Sequence, residues 1–209
     1  MCQLTERDIV QSMETFGSAF LFTDIEGSTR LPARDPTGYP VLLERLRDCI
    51  RAEVQSSSGE LVSLEGDSSF ALFDTASDAI WCSAAIQNRL RAEQVGFRVR
   101  MGIHVGEARR TATGFVGLDV HRAARIADAA HGGQVVISAE AAQDSPLATV
   151  DLGWHQLKDL AAPLRLHQLE LGTDERLPPL RTITARTHNL PTHESSLVGR
   201  EEELAALER

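Results

Sequence analysis

The sequence predicts an α+β protein on a ferredoxin-like split βαβ sheet (β-α-β-β-α-β), with helices on one face and a C-terminal extension. Two stretches of helical periodicity each follow a short apolar run. A hairpin pattern lies between them, around Glu65-Gly66-Asp67. A further alternating run then closes the pattern.

Ser18 to Thr23 is short, apolar and aromatic, which predicts a buried strand. After a polar loop with Pro32, Pro36 and Pro40, apolar residues recur at Leu43, Leu46, Ile50 and Val54, the spacing of an amphipathic helix. The Ser56-Ser57-Ser58-Gly59 cluster ends it. Leu61 to Leu64 and Ser69 to Phe73 make the hairpin, and Thr75 suits the N-cap of a helix carrying Ala79, Cys82, Ile86 and Leu90 on one side. Arg98 to His104 alternates Val99, Met101 and Ile103 with polar neighbours, predicting a half-exposed strand. Beyond it come a helix over Val120 to Ala130, a turn at His131-Gly132-Gly133, a strand over Val135 to Ser138, a short helix over Ala139 to Gln143 and a last strand over Arg165 to Leu171. From Gly172 to Ser196 periodicity is lost and Pro178, Pro179 and Pro191 punctuate a polar linker.

The chain has 209 residues, 42% of them hydrophobic and 24% charged, enough for one well-buried domain with a tail. A net charge of −9 opposes a nucleic-acid surface, since phosphate contacts need clustered Lys and Arg. Neither a signal peptide nor a membrane-spanning run is evident, so a cytoplasmic protein is expected. The three cysteines, Cys2, Cys49 and Cys82, lack metal-ligand spacing and read as free thiols in a reducing compartment.

The predicted topology acts on two acids. In a split βαβ sheet the first and third strands are antiparallel central neighbours, so Asp24, ending the first, falls close to Asp67, just before the third. An isolated acid at a turn is an ordinary turn or cap residue. Two carboxylates at strand ends beside Gly27-Ser28-Thr29 are what two divalent cations and a triphosphate require.

Four segments, in this order, resemble the class III adenylyl and guanylyl cyclase catalytic domain over Ser18 to Leu171: Phe22-Thr-Asp-Ile-Glu-Gly-Ser-Thr29, Gly66-Asp67 with Phe70-Ala-Leu-Phe73, Met101-Gly-Ile-His-Val-Gly106, and Val120-His-Arg-Ala-Ala-Arg-Ile126 leading to Gly132-Gly-Gln-Val-Val-Ile-Ser138. The wording is most similar to actinobacterial cyclase-homology regions that precede an ATPase and a helix-turn-helix domain in signalling regulators. The resemblance divides the chain into an N-terminal segment (1–17), the cyclase-homology domain (18–171), the linker (172–196) and a possible truncated ATPase start (197–209).

The family's reaction is attack of the ribose 3′-oxygen on the α-phosphorus of a nucleoside triphosphate, with release of pyrophosphate. Carried over by resemblance, Asp24, Asp67 and the carbonyl of Ile25 hold two Mg²⁺ or Mn²⁺ ions, and the N–H groups of Glu26, Gly27, Ser28 and Thr29 face the phosphates. Arg125 matches the transition-state arginine, although an arginine at a helix surface is equally a salt-bridge partner. The family builds its sites between two protomers, so a homodimer is expected, with ATP, or alternatively GTP, as the nucleotide.

Three positions depart from the family pattern. Ser63 stands where a purine-reading lysine is usual, Gly114 where an acidic or hydroxyl residue accompanies that lysine, and His121 where an asparagine orients the ribose. His121 either donates in place of asparagine or simply occupies the helix face beside Arg125. Two readings therefore stand: a cyclase of low activity making cyclic AMP, and a silent module that dimerises or binds nucleotide in signal transduction. Palm-type polymerases share the two-carboxylate sheet, but the acidic net charge disfavours them. His104 and His131 read as structural.

Overall fold

Strand β1, Thr15–Ile25, is longer than its apolar run because one of its edges stays paired from Thr15 to Ile25, while the other is paired only over Ala19–Thr23. The computed structural model describes residues 15–111, 114–172 and 177–182. Cys2, nearly all of the expected N-terminal segment, most of the linker and the 197–209 helix start lie outside them.

Strands β2 (Glu60–Glu65) and β3 (Ser68–Phe73) form the expected hairpin, and β4 (Val99–Thr111) comes after the second long helix. Beyond them lie β5 (Gly114–Val116), β6 (Val135–Ser138), β7 (Thr149–His155) and β8 (Leu164–Leu169). Among the described residues the sheet runs β2-β3-β1-β4-β6-β8-β7, with β5 paired to β4. All pairings are antiparallel except β4 with β6. β1 lies between β3 and β4, so the expected split βαβ is present.

A short 3₁₀ turn (Ser28–Arg30) and a four-residue helix α1 (Leu31–Arg34) precede α2 (Gly38–Ser56). Helix α3 (Ala76–Ala92) starts at Thr75, whose Oγ1 accepts from the Asp78 N–H at 3.1 Å, the expected cap. α2 and α3 cover one face, packing Leu46, Ile50, Val54, Ile80 and Ile86 against Leu21, Met101 and Ile103. Helix α4 (Leu118–Ala129) lies across the other face, where Ala123 meets Phe20 and Phe70 and Ile126 meets Val136 and Leu166. Helix α5 (Ala139–Gln143) is short.

The expectation for β4 is corrected: Met101, Gly102, Ile103 and His104 are all buried. Its polar-side positions face α4 instead of water, and Gly102 makes this possible. A Cβ there would lie 2.2 Å from the Ala127 backbone nitrogen, so only glycine lets the helix approach so closely. β5 and β7 carry no sequence signal. β5 is three residues long, and β7 has Asp151 and Gly153 flanking a bulge.

Within the expected linker, residues 177–182 pack back onto the domain. Leu180 is 3% exposed and joins Ile126, Ala129, Ala130 and Leu157 in a second core cluster. Cys49 and Cys82 are buried free thiols, their pKa values raised by burial to about 11 and about 12. Among the described residues no helix is long and apolar enough to cross a membrane.

Candidate active site

The register sets Thr23 opposite Ser69, with their hydroxyls 2.7 Å apart, so Asp24 comes level with Ser68, one residue beyond Asp67. Ser68 Oγ donates to Asp24 Oδ1 at 2.7 Å. Asp67 and Asp24 also both act on the Tyr39 phenol, whose pKa is raised first by burial and then by these charges. The structure thus brings Asp24 and Asp67 together at one sheet edge. Arg47 fixes the hairpin turn that carries Asp67 by donating Nη2 to the Gly66 carbonyl at 2.8 Å.

The two carboxylates differ in their surroundings. Asp24 Oδ2 accepts from both Nε and Nη2 of Arg100, at 2.9 and 2.6 Å. Asp67 Oδ2 is buried and has no hydrogen-bond partner among the described residues. A buried carboxylate oxygen without a donor is costly, and a cation is the partner that satisfies it. This orphaned oxygen beside a second carboxylate fits the divalent-metal expectation. Among the described residues no cluster of three His, Cys, Asp or Glu side chains gathers to hold a metal, so the donors here are two carboxylates and peptide oxygen.

In the turn after β1 the Glu26 N–H already donates to the Arg98 carbonyl at 2.9 Å, leaving Gly27, Ser28 and Thr29 to offer N–H groups. The chain then enters a 3₁₀ turn and a four-residue helix, so any pull on an anion comes from individual N–H groups and not from a long helix dipole. Ile25 is buried at the end of β1.

Ser63 lies on β2 beside a bulge and is half-buried. Gly114, on β5, comes against the same strand: a Cβ there would sit 3.7 Å from Val62 Cγ1. Its φ of 137° is a conformation that favours glycine, so the missing side chain is built into the backbone. His121 is exposed on α4, one turn before Arg125. Arg125 is held by Asp128 at 3.0 Å and Asp159 at 2.7 Å, an ion-paired helix surface. His121 and Arg125 thus share a helix face, and within one chain the structure does not bring them into direct contact with Asp24 and Asp67.

Four partners escaped sequence reasoning: Arg100 and Ser68 on Asp24, Asp159 on Arg125, and Asp119 on His104. Arg100 was recoverable once β1 and β4 are paired, because it is the register partner of Asp24. His104, expected as structural, is buried with Nε2 3.3 Å from Asp119 and Nδ1 2.8 Å from Ser138 Oγ. Burial lowers its pKa against the opposing pull of Asp119. Burial acts to raise the pKa of Asp119, but donation from the Glu107 N–H, Arg122 and His104 outweighs it and holds the carboxyl below its usual range. This network fixes the start of α4, the helix that carries His121 and Arg125. His131, also expected as structural, donates Nε2–H to the Pro179 carbonyl at 2.9 Å.

No family model matches the chain. An uncharacterized protein of Mycobacterium tuberculosis is 32% identical over 208 residues, spanning 95% of this chain and 72% of that protein. A putative adenylate cyclase of Rhizobium meliloti is 27% identical over 173 residues, spanning 78% of this chain and 30% of that protein. The crystal structure of an adenylate/guanylate cyclase/hydrolase from Silicibacter pomeroyi superposes with a TM-score of 0.69 at 26% identity, over 76% of this chain and 98% of that one. With the motifs in order on a matching sheet, the chain belongs to the class III adenylyl/guanylyl cyclase family.

Proposed function

We propose that this chain is a nucleotidyl cyclase domain that forms cyclic AMP and pyrophosphate from ATP, slowly, as a homodimer with sites between protomers. The observation that carries this reading is the buried, partnerless Oδ2 of Asp67 beside Asp24. Asp24, Asp67 and the Ile25 carbonyl would hold Mg²⁺ or Mn²⁺, two per site. Such ions lower the pKa of an attacking hydroxyl and offset phosphate charge. The remaining work falls to the chain. Gly27, Ser28 and Thr29 direct N–H groups to the phosphates, and Arg100, already on Asp24, adds positive charge beside them. Arg125 of the second protomer leaves Asp128 and Asp159 to meet charge growing on the α-phosphate. Ser63 and Gly114 give the purine little to bind, and His121 stands where the ribose is oriented. Losing a substrate hydrogen bond costs about 1–3 kcal/mol and losing a transition-state donor about 3–4 kcal/mol, so turnover falls several powers of ten below that of a fully equipped site.

A second reading is favoured by a specific observation. Both Asp24 and Arg125 are neutralised within their own chain, as suits a silent module that binds nucleotide without converting it. Purified protein incubated with ATP or GTP and Mn²⁺ separates the two. The cyclase reading expects a cyclic product that disappears in Asp24→Ala. Product that persists in that variant defeats the assigned site, and no product from either nucleotide at high protein concentration establishes the silent module. Both readings suit a cytoplasmic signalling role.

A further inference from the structure

We propose that Arg181, on the segment beyond the last strand, is a positioning residue for the turn after β1, acting through Glu26. The proposal rests on the reading of that turn as the triphosphate site. The guanidinium of Arg181 pairs with Glu26 Oε1. Glu26 stands two residues beyond Asp24 and immediately before Gly27, Ser28 and Thr29. A carboxylate at this point repels a polyphosphate, and it also anchors the turn through its side chain. Arg181 answers both, by neutralising the charge and by tethering the turn from outside.

The backbone around Arg181 is built to hold it there. Its N–H donates to the Ala129 carbonyl at 2.9 Å, fixing it to the end of α4. Leu180, just before it, is buried in the second core cluster, and Thr182, just after it, is 6% exposed. His131 bridges the same parts: Nε2 donates to the Pro179 carbonyl, and Nδ1 lies 3.6 Å from Glu26 Oε1. The Glu26 carboxylate itself lies over Gly132, where a Cβ would come within 2.7 Å of Oε2. The side chain is therefore confined between Gly132, His131 and Arg181.

The electrostatics agree with this arrangement. The turn borders a cleft of about 540 Å³ whose walls include Arg30, Arg34, Arg98 and Arg181, and among the described residues lining it Glu26 is the one acid. In a chain of net charge −9, this is a local excess of positive charge. It depends on Glu26 staying paired. Arg181 reaches the nucleotide only through Glu26 in this scheme.

The test uses the full chain with Arg181→Ala, Arg181→Lys, Glu26→Gln and the Arg181→Ala/Glu26→Gln double variant, and Arg165→Ala as a control surface ion pair. Amide hydrogen exchange at Glu26 and Arg30, whose N–H groups donate to the Arg98 and Gly27 carbonyls and so report opening of the turn, is measured without nucleotide, and affinity is measured for a non-hydrolysable ATP analogue with Mn²⁺. Arg181→Ala is expected to raise exchange at the turn several-fold and to weaken the analogue about tenfold. Arg181→Lys keeps affinity within about twofold of wild type, and the double variant returns to the Glu26→Gln value. Unchanged turn exchange in Arg181→Ala overturns the proposal. So does an equal loss of affinity in the Glu26→Gln background, which would make Arg181 a direct ligand contact. If wild type binds no triphosphate analogue, the triphosphate reading fails, and the exchange measurement alone decides whether Arg181 positions the turn.

Discussion

Arg100 and Asp24 face each other across β1 and β4 as register partners, and the guanidinium of Arg100 places two donors on a single oxygen of Asp24, at 2.9 and 2.6 Å. Both side chains are about one-fifth exposed. The proposed metal acid therefore has a resident cation supplied by the chain. Removing that cation leaves a partly buried carboxylate with Ser68 as its one side-chain donor among the described residues. Arg100→Ala is expected to destabilise the protein by about 1–2 kcal/mol in urea unfolding, between the values for exposed and buried pairs. Mn²⁺ should raise the melting temperature more in this variant than in wild type. An equal or smaller rise would mean that Arg100 and metal do not compete for Asp24.

Asp67 carries the opposite prediction. Its unpartnered Oδ2 is a cost to the metal-free fold, so Asp67→Asn is expected to hold or raise the metal-free melting temperature, by up to about 1 kcal/mol of stability. The same variant should lose the stabilisation that Mn²⁺ gives wild type. Thermal melts with and without the ion check both halves.

Restoring polar contacts tests the low-activity reading. Ser63→Lys with His121→Asn is expected to raise cyclic product formation about 100-fold, the equivalent of roughly 3 kcal/mol of regained interaction. Gly114→Asp should add less than its chemistry promises and lower stability, because residue 114 has φ 137°. Steady-state assays and melts of the double and triple variants separate these effects.

Gly102→Ala probes the approach of α4 to the sheet. The new methyl would meet the Ala127 backbone at 2.2 Å, and backbone cannot rotate out of the way as a side-chain tip can. A loss of about 3 kcal/mol or more is expected in denaturant unfolding. Arg125 rides on the same helix, so activity should fall with stability.

His104 gives a pH dependence of defined sign. Its native pKa lies below the ordinary histidine value because it is buried, so the unfolded chain binds its proton first as pH falls. The stability linked to the neutral ring is present above about pH 6.5 and is lost as pH drops below that toward the native pKa. Asp119 titrates in a more acidic window. Its depressed pKa supports the fold above its ordinary value near 4, and that support disappears as pH falls through the native pKa. His104→Asn should flatten the upper window and weaken the lower one only in part, because the Glu107 N–H and Arg122 still hold Asp119. Urea unfolding at pH 5, 6 and 7 measures the difference.

Much of the fold was legible because apolar periodicity reports which faces are buried. The helix seen in Leu43, Leu46, Ile50 and Val54, the hairpin around Gly66 and the Thr75 cap all occupy their expected places. The polar side of β4 misled because a glycine carries no hydrophobic signal, although Gly102 is what admits α4. β7 was hidden by a bulge at Asp151 and Gly153, which breaks the alternation by which strands are recognised.

The sequence by itself determined that two carboxylates end up together, since strand order is set by the alternation of short-range patterns and the split βαβ order pairs β1 with β3. It also determined where the family pattern is broken, at Ser63, Gly114 and His121. Only the tertiary structure decided what those carboxylates touch. Arg100 lies 76 residues from Asp24, and Arg181 reaches Glu26 from beyond the last strand. Ion pairs between residues so distant in sequence leave no periodic trace. They form because register and packing bring opposite charges within a few ångströms, where partial exclusion of water strengthens their attraction.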